Sequence, residues 1–479
     1  MSDWKKCFVQ TQAFYQVVEN DGKFNMNSED NGIQEETSFD FEPVFDFVSN
    51  NSSILLDKGT ATLNVGDKRF DLNVETKLDL IPRPRIDLYV SFDTLGVYDA
   101  ISTAAYYKNE RCIFQRNNED IEVLLLNCPY EENSCWNVKC SPSSVPMFWK
   151  GKDDTKIDYL IFHLFNFPDF LGTRHSCKKH KNGSCTIQHI DLHSNDWDIE
   201  LKSLHFTMQN IKSFKKDGIN QLSHVGCIKR PDRTPFQGNE ASECLQIIRY
   251  FLAFAKGTWC NPVCAVGFND SKERVWESWA SSKSVDVPFV WFDHYHGEQL
   301  QLLFPLFMKK WVDKHWHDSL HTIIYWYVNA NDIERGIEGC LILAQAAFEL
   351  LSYEVSVNEK RLIWSRSFKD MLASDKFRML FSTLHIPIDI PDETSEMKKL
   401  AKELKWLDAP HALTEIRNSL VHPVHKNRKK FNRQLLMEAW KLSLWYLELG
   451  ILAVCGYTRT YGNRLKNDPI GTVDKVPWI

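Results

Sequence analysis

Apolar and polar residues alternate along much of the first half of the chain, which predicts β-strands. Alternation over residues 54–64 is followed by Gly66-Asp67 and then by a second alternating stretch at residues 70–74. Two such stretches joined by a short turn of Gly and Asp are typical of a β-hairpin. Further strand-like stretches lie at residues 86–90, 121–126, 159–165 and 197–201. Residues 51–235 are therefore predicted to form a β-rich domain, either a sandwich or a barrel-like sheet.

Beyond residue 235 the apolar residues recur every three or four positions, which predicts helices. The first such stretch runs from Glu243 to Gly257, where the glycine is a typical helix stop. One or two short strands are expected between Trp259 and Trp279. We therefore interpret residues 236–330 as a mixed α/β central region.

The pattern over residues 331–479 predicts a small bundle of helices. Residues 333–355 carry an apolar face at the helical period. Further helices are expected at residues 360–384, 397–407, 411–422 and 431–455. The predicted fold class is α+β multidomain, with a β-rich N-terminal region followed by a C-terminal helical bundle. Residues 1–50 are polar and acidic and are interpreted as an irregular lead-in.

Hydropathy and cysteine usage predict a cytoplasmic protein. No run of about 18 apolar residues stands out, so no membrane-spanning segment is expected. The most apolar candidate, residues 435–454, carries Glu438, Lys441 and Glu448 and is interpreted as a buried helix. The 13 cysteines are scattered and odd in number, which favours free thiols in a reducing compartment.

The net charge of −6 argues against a protein that coats polyanions, so contact with nucleic acid requires a local basic patch. One such patch follows the segment Arg417–His422. Its basic residues are Lys426, Arg428, Lys429, Lys430 and Arg433. They are predicted to bind RNA phosphates without reading base sequence. The alternative for such a charge run is the solvated start of a helix.

Arg417, Asn418 and His422 have the chemistry that metal-free cleavage of RNA requires. RNA supplies its own nucleophile, the ribose 2′-hydroxyl, and a histidine can move the proton. An arginine fork suits the phosphate oxygens. Asn418 precedes His422 by four residues, so both are expected on one side of a helix. Pro423 disfavours a helical conformation at His422 and places that residue at the helix end, where the dipole favours a cation.

The Arg-to-His spacing carries no weight on its own. Two other pairs in the chain have comparable spacing, Arg174/His180 and Arg378/His385. The third pair differs because an asparagine follows the arginine, the setting is helical and a basic segment comes next. From the residues alone, a nuclease site and the solvated end of a structural helix remain equal alternatives.

Arg417–His422 resembles the Arg-x(4–6)-His motif of the HEPN superfamily, whose common form begins Arg-Asn. The upstream segment Ala346–Leu351 resembles part of the first long helix of that fold. Four other segments resemble large bacterial HEPN proteins of the ApeA-like kind: Phe167–Gly172, Leu252–Trp259, Val266–Phe268 and Val275–Trp279. The C-terminal region is thus expected to be a HEPN-like helical domain.

The resemblance implies a metal-independent endoribonuclease in bacterial antiviral or abortive-infection defence. His422 would be the general base or acid, Arg417 would stabilise the phosphate, and Asn418 would support the site. The product would be a 2′,3′-cyclic phosphate, with no cofactor needed for catalysis. Glu349 would hold Arg417 or remain a solvated glutamate.

The same resemblance implies an RNA partner, with tRNA as the family-level expectation, and a homodimer that joins two motif copies. The N-terminal region would sense a phage-derived trigger or restrain the nuclease. Two alternatives of other classes remain. One is a catalytically inactive HEPN dimerisation module of a sensor or nucleic-acid-binding protein. The other is a zinc-stapled nucleic-acid-binding protein without catalysis.

A candidate zinc site lies in the N-terminal half of the chain. Its four predicted ligands are Cys177, His180, Cys185 and His189, in the pattern Cys-x2-His-x4-Cys-x3-His. Four nitrogen or sulfur ligands in a short span suit tetrahedral zinc, which would be structural here. The spacing matches no common zinc finger, and an exposed His-rich loop with reduced thiols is the alternative.

Overall fold

The computed structural model describes residues 41–47, 53–81, 84–107, 112–116, 119–132, 135–143, 147–180, 183–204, 222–280, 290–422, 431–466, 468–469 and 471–479. The chain divides into two compact units, Met1–Phe41 and Glu42–Ile479. All elements below belong to the second unit. The predicted irregular lead-in falls mainly outside the described residues.

The first strands form an antiparallel barrel. They are β1 (Ser53–Val65), β2 (Lys68–Asp79), β3 (Arg85–Phe92), β4 (Cys112–Arg116), β5 (Glu119–Leu125), β6 (Tyr130–Glu132) and β7 (Cys135–Pro142), with helix α1 (Leu95–Tyr107) between β3 and β4. The strand order is β3-β2-β1-β4-β5-β7-β6, and β3 also pairs with β7, which closes the sheet. Leu63, Leu88 and Phe114 are fully buried between its strands.

A second, eight-stranded antiparallel sheet follows. Its strands are β8 (Met147–Lys150), β10 (Tyr159–Phe165), β11 (Arg174–His180), β12 (Gly183–His193), β13 (Asp198–Ser203), β14 (Leu222–Lys229), β16 (Val263–Phe268) and β17 (Arg274–Trp279). They are ordered β11-β12-β13-β14-β10-β16-β17-β8. The short strands β9 (Lys156–Ile157) and β15 (Phe236–Gln237) pair with each other. β16 and β17 therefore share a sheet with strands far upstream of them in sequence.

One face of the second sheet packs on two helices, α2 (Gly238–Lys256) and α3 (Glu298–Trp311). Leu160, Phe162 and Leu164 project from β10 into the same buried cluster as Phe251 and Phe304. Alternate residues of an antiparallel strand face opposite sides of the sheet. Ile190, Leu192, Ile199 and Leu201 join the cluster with the helices, so His189, Asp191 and Glu200 lie on the other face. Gly257 ends α2 in a left-handed conformation with φ 73°, as the sequence predicts.

The rest of the chain is mainly helical. The elements are α4 (His317–Asn331), α5 (Ile337–Tyr353) with a π-helical continuation at Glu354–Glu359, α6 (Ser365–Asp370), α7 (Ala373–Thr383), α8 (Ser395–Leu404), α9 (Ala409–Val421) and α10 (Arg433–Cys455), then the short pair β18 (Thr460–Tyr461) and β19 (Asp474–Lys475). Helix α5 packs against α4, α7, α9 and α10. A β-rich N-terminal region and a helical C-terminal region are therefore confirmed.

One helix among the described residues, Ile337–Glu359, is long and apolar enough to span a bilayer, with a mean hydropathy of 1.4. No such stretch was expected from the sequence. In the fold, 61% of the most apolar window of that helix is buried. Cys340, Ala344 and Phe348 face the neighbouring helices with no exposure. Because the core helix of a globular domain has this composition too, we assign the segment to the bundle core.

Candidate functional site

Helix α9 carries the Arg417–His422 segment and begins behind an aspartate cap. The Asp408 side chain accepts a hydrogen bond from the His411 amide at 2.9 Å, and a proline occupies the first turn. Arg378 of α7 donates from Nε to Asp408 Oδ2 at 2.6 Å. These contacts fix the start of α9 against α7. These contacts are not among the features predicted from the sequence, although an aspartate before Ala-Pro is a recognisable helix start.

The buried face of α9 is held against α5 and α7. Ala412, Leu413 and Ile416 are buried. The Gln345 side chain of α5, itself buried, donates from Nε2 to the carbonyl of Leu413 at 2.7 Å. Because a buried side-chain amide needs a hydrogen-bond partner, this contact fixes the position of α9 along the axis of α5. Arg417 and Asn418, one turn further on, are therefore presented from a fixed surface.

His422 stands at the C-terminal cap of α9. Its backbone is extended, with φ −93° and ψ 130°, and its amide donates to the Asn418 carbonyl at 3.0 Å. The side chain is exposed. The placement predicted from Pro423 is confirmed, since a residue before proline avoids the helical conformation. An imidazole here lies at the negative end of the helix dipole.

The Arg417 side chain is half-buried and is not neutralised by a carboxylate within the described residues. Its Nη1 lies 3.4 Å from Asn418 Oδ1, a long contact, and its buried Nε has no hydrogen-bond partner there. Glu349 is exposed, and no ion pair joins it to Arg417 in the described part of the chain. The guanidinium therefore has hydrogen-bond donors from which an external anion could accept. Binding such an anion would be favourable, because a buried donor without a partner is energetically costly.

Of the five residues predicted to bind RNA, the structure describes one, Arg433. Lys426, Arg428, Lys429 and Lys430 lie outside the described residues. Arg433 is the first residue of α10 and is exposed. Asn432 caps that helix, because its side chain accepts from the Leu435 amide at 2.8 Å. The phosphate-binding role of the segment stays a prediction.

The four predicted zinc ligands lie on a β-hairpin formed by β11 and β12. Its register pairs Arg174 with His189. The side chains of Cys177, His180 and Cys185 lie outside what the structure describes. His189 Nε2 is 2.8 Å from Ser176 Oγ, and its Nδ1 is 2.7 Å from Glu200 Oε1. Both ring nitrogens are thus engaged, so zinc binding through His189 would require one of these hydrogen bonds to break.

Among the described residues, no group of three or more His, Cys, Asp or Glu side chains is placed to hold a metal. Three of the four candidate zinc ligands, Cys177, His180 and Cys185, have side chains outside the described part of the chain. The zinc site therefore stays a prediction.

Comparison with known proteins gives matches in two regions of the chain. Residues 313–474 match the family model of the YopA C-terminal domain. Residues 152–290 match that of the YopA central domain. The second sheet except for its strand β8, together with helix α2, falls in the central match, and α4 to α10 fall in the C-terminal one. Neither family bears the HEPN or ApeA name.

A similar protein is the SPbeta prophage-derived uncharacterized protein YopA of Bacillus subtilis (strain 168). It is 28% identical over 339 residues, which cover 68% of this chain and 73% of the relative. No solved structure matches the chain. The comparisons thus give a likeness to a protein of prophage origin and leave the chemistry of the site to its residues.

Proposed function

We propose that this protein is a metal-independent endoribonuclease whose site is formed by Arg417, Asn418 and His422. One observation carries the proposal. An exposed imidazole ends α9, and one turn earlier a half-buried guanidinium has no carboxylate partner within the described residues. Phosphodiester cleavage needs both groups, one to move a proton and one to bind the charged phosphate.

The reaction uses the substrate's own nucleophile. The ribose 2′-oxygen attacks the adjacent phosphorus while its proton passes to an imidazole. The bond from phosphorus to the 5′-oxygen breaks, and that oxygen takes up a proton. The products are a 2′,3′-cyclic phosphate and a 5′-hydroxyl. Arg417 would neutralise charge on the phosphate oxygens, and Asn418 would position the phosphate or the imidazole.

The setting we propose is bacterial antiviral defence in the cytoplasm. The resemblance of the C-terminal helices to HEPN domains supports it, and the prophage origin of the YopA relative is in keeping with a conflict between phage and host. RNA, with tRNA as a first candidate, would be the substrate, and a homodimer would bring two copies of the motif together. The N-terminal sheets would sense a phage-derived trigger or restrain the nuclease.

The test is cleavage of cellular RNA by the purified full-length protein in excess chelator. We expect 5′-hydroxyl and 2′,3′-cyclic phosphate ends. His422→Ala should lower the rate by at least about 100-fold, the usual contribution of an acid–base group. Arg417→Ala should also lose cleavage, and both variants should unfold at the wild-type temperature.

His425→Ala is the matched control, because it removes an imidazole three residues away that lies outside the motif. That variant should cleave normally. Retained cleavage by His422→Ala would overturn the assignment. Absence of any cleavage by the wild type, including in infected cells, would favour an inactive dimerisation module.

A further inference from the structure

Three polar side chains on adjacent strands form a hydrogen-bonded relay on the face of the second sheet that lies opposite the helices. Ser176 of β11 places its Oγ 2.8 Å from His189 Nε2 on β12. The other ring nitrogen, Nδ1, lies 2.7 Å from Glu200 Oε1 on β13. The register pairs Arg174 with His189 and Asp191 with Glu200, so the three side chains are diagonal neighbours on one face.

We propose that Ser176, His189 and Glu200 are a catalytic triad that hydrolyses carboxylic esters, with Ser176 as nucleophile. A serine nucleophile needs a base within hydrogen-bond reach, and the base needs a third group that fixes its tautomer. A carboxylate at Nδ1 holds the proton on that nitrogen and leaves the Nε2 lone pair for the serine hydroxyl. The two distances place each group in that role.

Arg174 forms an ion pair with Glu200, the third member of the relay. Arg174 Nη2 lies 2.7 Å from Glu200 Oε1 and 3.0 Å from Asp191 Oδ1. The arginine thereby fixes the same carboxylate oxygen that contacts His189 Nδ1, as the supporting groups of a catalytic histidine do.

The solvent exposure of the three side chains also fits the proposed roles of nucleophile, base and supporting carboxylate. Ser176 is exposed, whereas His189 is only 6% exposed and Glu200 is half-buried. A substrate can therefore reach the hydroxyl while the base stays shielded from water. β11 stands at the end of the sheet in the described part of the chain. The outer edge of such a strand carries N–H groups that can bind the oxyanion formed during attack.

The proposed ester hydrolysis needs water as its only co-reactant. Ser176 Oγ attacks the ester carbonyl carbon, and its proton passes to His189 Nε2. The bond from the carbonyl carbon to the alkoxy oxygen breaks, and that oxygen leaves with the proton from Nε2 as an alcohol. Water then attacks the acyl-serine with the same imidazole as base. The acid is released, and the hydroxyl of Ser176 regains its proton.

The test uses the full-length protein and an alkyl fluorophosphonate, which phosphonylates activated serines and releases fluoride. We expect one label per chain, mapped by peptide mass to Ser176, and release of nitrophenol from p-nitrophenyl butyrate. Ser176→Ala should abolish both signals. His189→Gln should slow labelling by at least about 100-fold, because the base is lost, and Glu200→Gln should slow it less.

Two matched controls are available. His193 lies on the same strand and pairs with Asp198 at 2.9 Å, but within the described residues it contacts no serine. Ser367 is an exposed serine on α6. His193→Gln and Ser367→Ala should label as the wild type does. His422→Ala should also label normally, which separates this site from the proposed nuclease.

Labelling at another residue, labelling that survives His189→Gln, or none at all would overturn the triad and leave a structural hydrogen-bond network. Zinc provides a further check, since a metal ion on His189 would take the lone pair that the serine needs. Added zinc should therefore slow labelling of Ser176 if the predicted metal site forms at all. Faster labelling with zinc would contradict the assignment of His189 as the base.

Discussion

Arg464 and Glu448 form an ion pair that is closed off from solvent. Arg464 Nε lies 3.0 Å from Glu448 Oε2, and Nη2 also contacts Oε1. The Tyr327 hydroxyl donates to Glu448 Oε1 at 2.7 Å, and Arg464 Nη2 donates to Asn331 Oδ1 at 3.2 Å. The network joins α4, α10 and the segment after α10, so both charges have several partners where water has no access.

Removal of one charge from this pair should destabilise the bundle strongly. Glu448→Gln leaves the Arg464 guanidinium buried without a counter-charge, and we expect the free energy of unfolding to fall by about 3–5 kcal/mol. Denaturant unfolding followed by tryptophan fluorescence would measure it. Glu349→Gln, which neutralises an exposed glutamate, should change the value by less than about 0.5 kcal/mol. Equal effects of the two variants would contradict a special role for the buried pair.

A second prediction concerns His224, a fully buried histidine on β14. Neither ring nitrogen has a hydrogen-bond partner among the described residues. The ring stacks on Phe170 at 4.9 Å and meets Phe167 edge-on at 5.5 Å. His224→Phe should therefore stabilise the protein, because it removes an unsatisfied buried polar group. Burying such a group costs about 1–3 kcal/mol of folding free energy.

The measurement for His224→Phe is the midpoint of urea unfolding at pH 7. Phe is slightly larger than His, so His224→Leu serves as the second variant and tests whether added volume offsets the gain. A loss of stability in both variants would show that the imidazole has a partner that stabilises it.

Local patterns in the sequence predicted local elements well. Gly66, with φ 57°, turns β1 back on β2, and Val65 pairs with Lys68, which confirms the hairpin. The pairing of β10 with β16 could not be predicted in this way. Ile161 and Val266 face each other across a hundred residues of sequence. Such pairing depends on which buried faces fit together in space, and the local alternation of residues does not carry that information.

The two candidate sites also differ in how far local sequence determines their geometry. The extended backbone of His422 follows from Pro423, its neighbour in sequence. The contact between Ser176 and His189 instead depends on the register of a hairpin, and the contact with Glu200 depends on a third strand. A shift of one residue would send these side chains to opposite faces. The spacing of Cys and His residues predicted zinc at His189, but it carried no information on strand register and so could not indicate the contacts with Ser176 and Glu200.

A third prediction concerns pH and rests on His163, which is fully buried on β10. Its Nε2 accepts a hydrogen bond from the Val44 amide at 3.1 Å, and its Nδ1 contacts the Cys264 carbonyl at 3.1 Å. The ring must therefore be neutral with its proton on Nδ1. Burial lowers the pKa of His163 from 6.5 to about 4, and the charge of Arg274 acts in the same direction.

The unfolded chain binds this proton below about pH 6.5, whereas the folded protein binds it only below about pH 4. Stability should therefore fall as the pH drops from 6.5 towards 4, by up to about 3 kcal/mol from this group. Urea unfolding across that range in the His224→Phe background removes one other contribution, since burial lowers the pKa of His224 as well, and comparison with and without His163 then gives the share of this group. His163→Gln should flatten the slope, and an unchanged slope would exclude His163 as its source.

The last prediction concerns Asp408, which links the start of α9 to α7. Its Oδ1 accepts from the His411 amide, and both carboxylate oxygens accept from Arg378. Asp408→Ala should remove the helix cap and lower the free energy of unfolding by about 1–2 kcal/mol. The start of α9 should also open more readily, because its amides lose their acceptor. Hydrogen exchange of the α9 amides, together with urea unfolding, would measure both effects.

The variant Asp408→Asn distinguishes the helix-capping role of Asp408 from its ion pair with Arg378. An asparagine oxygen can still accept from the His411 amide, so exchange in the first turn of α9 should stay near the wild-type rate. The ion pair with Arg378 is lost, so part of the stability loss should remain. If the proposed nuclease depends on a fixed α9, the alanine variant should cleave RNA more slowly than the asparagine variant at equal folded fraction. Equal exchange in both variants would contradict the capping role, whatever the effect on cleavage.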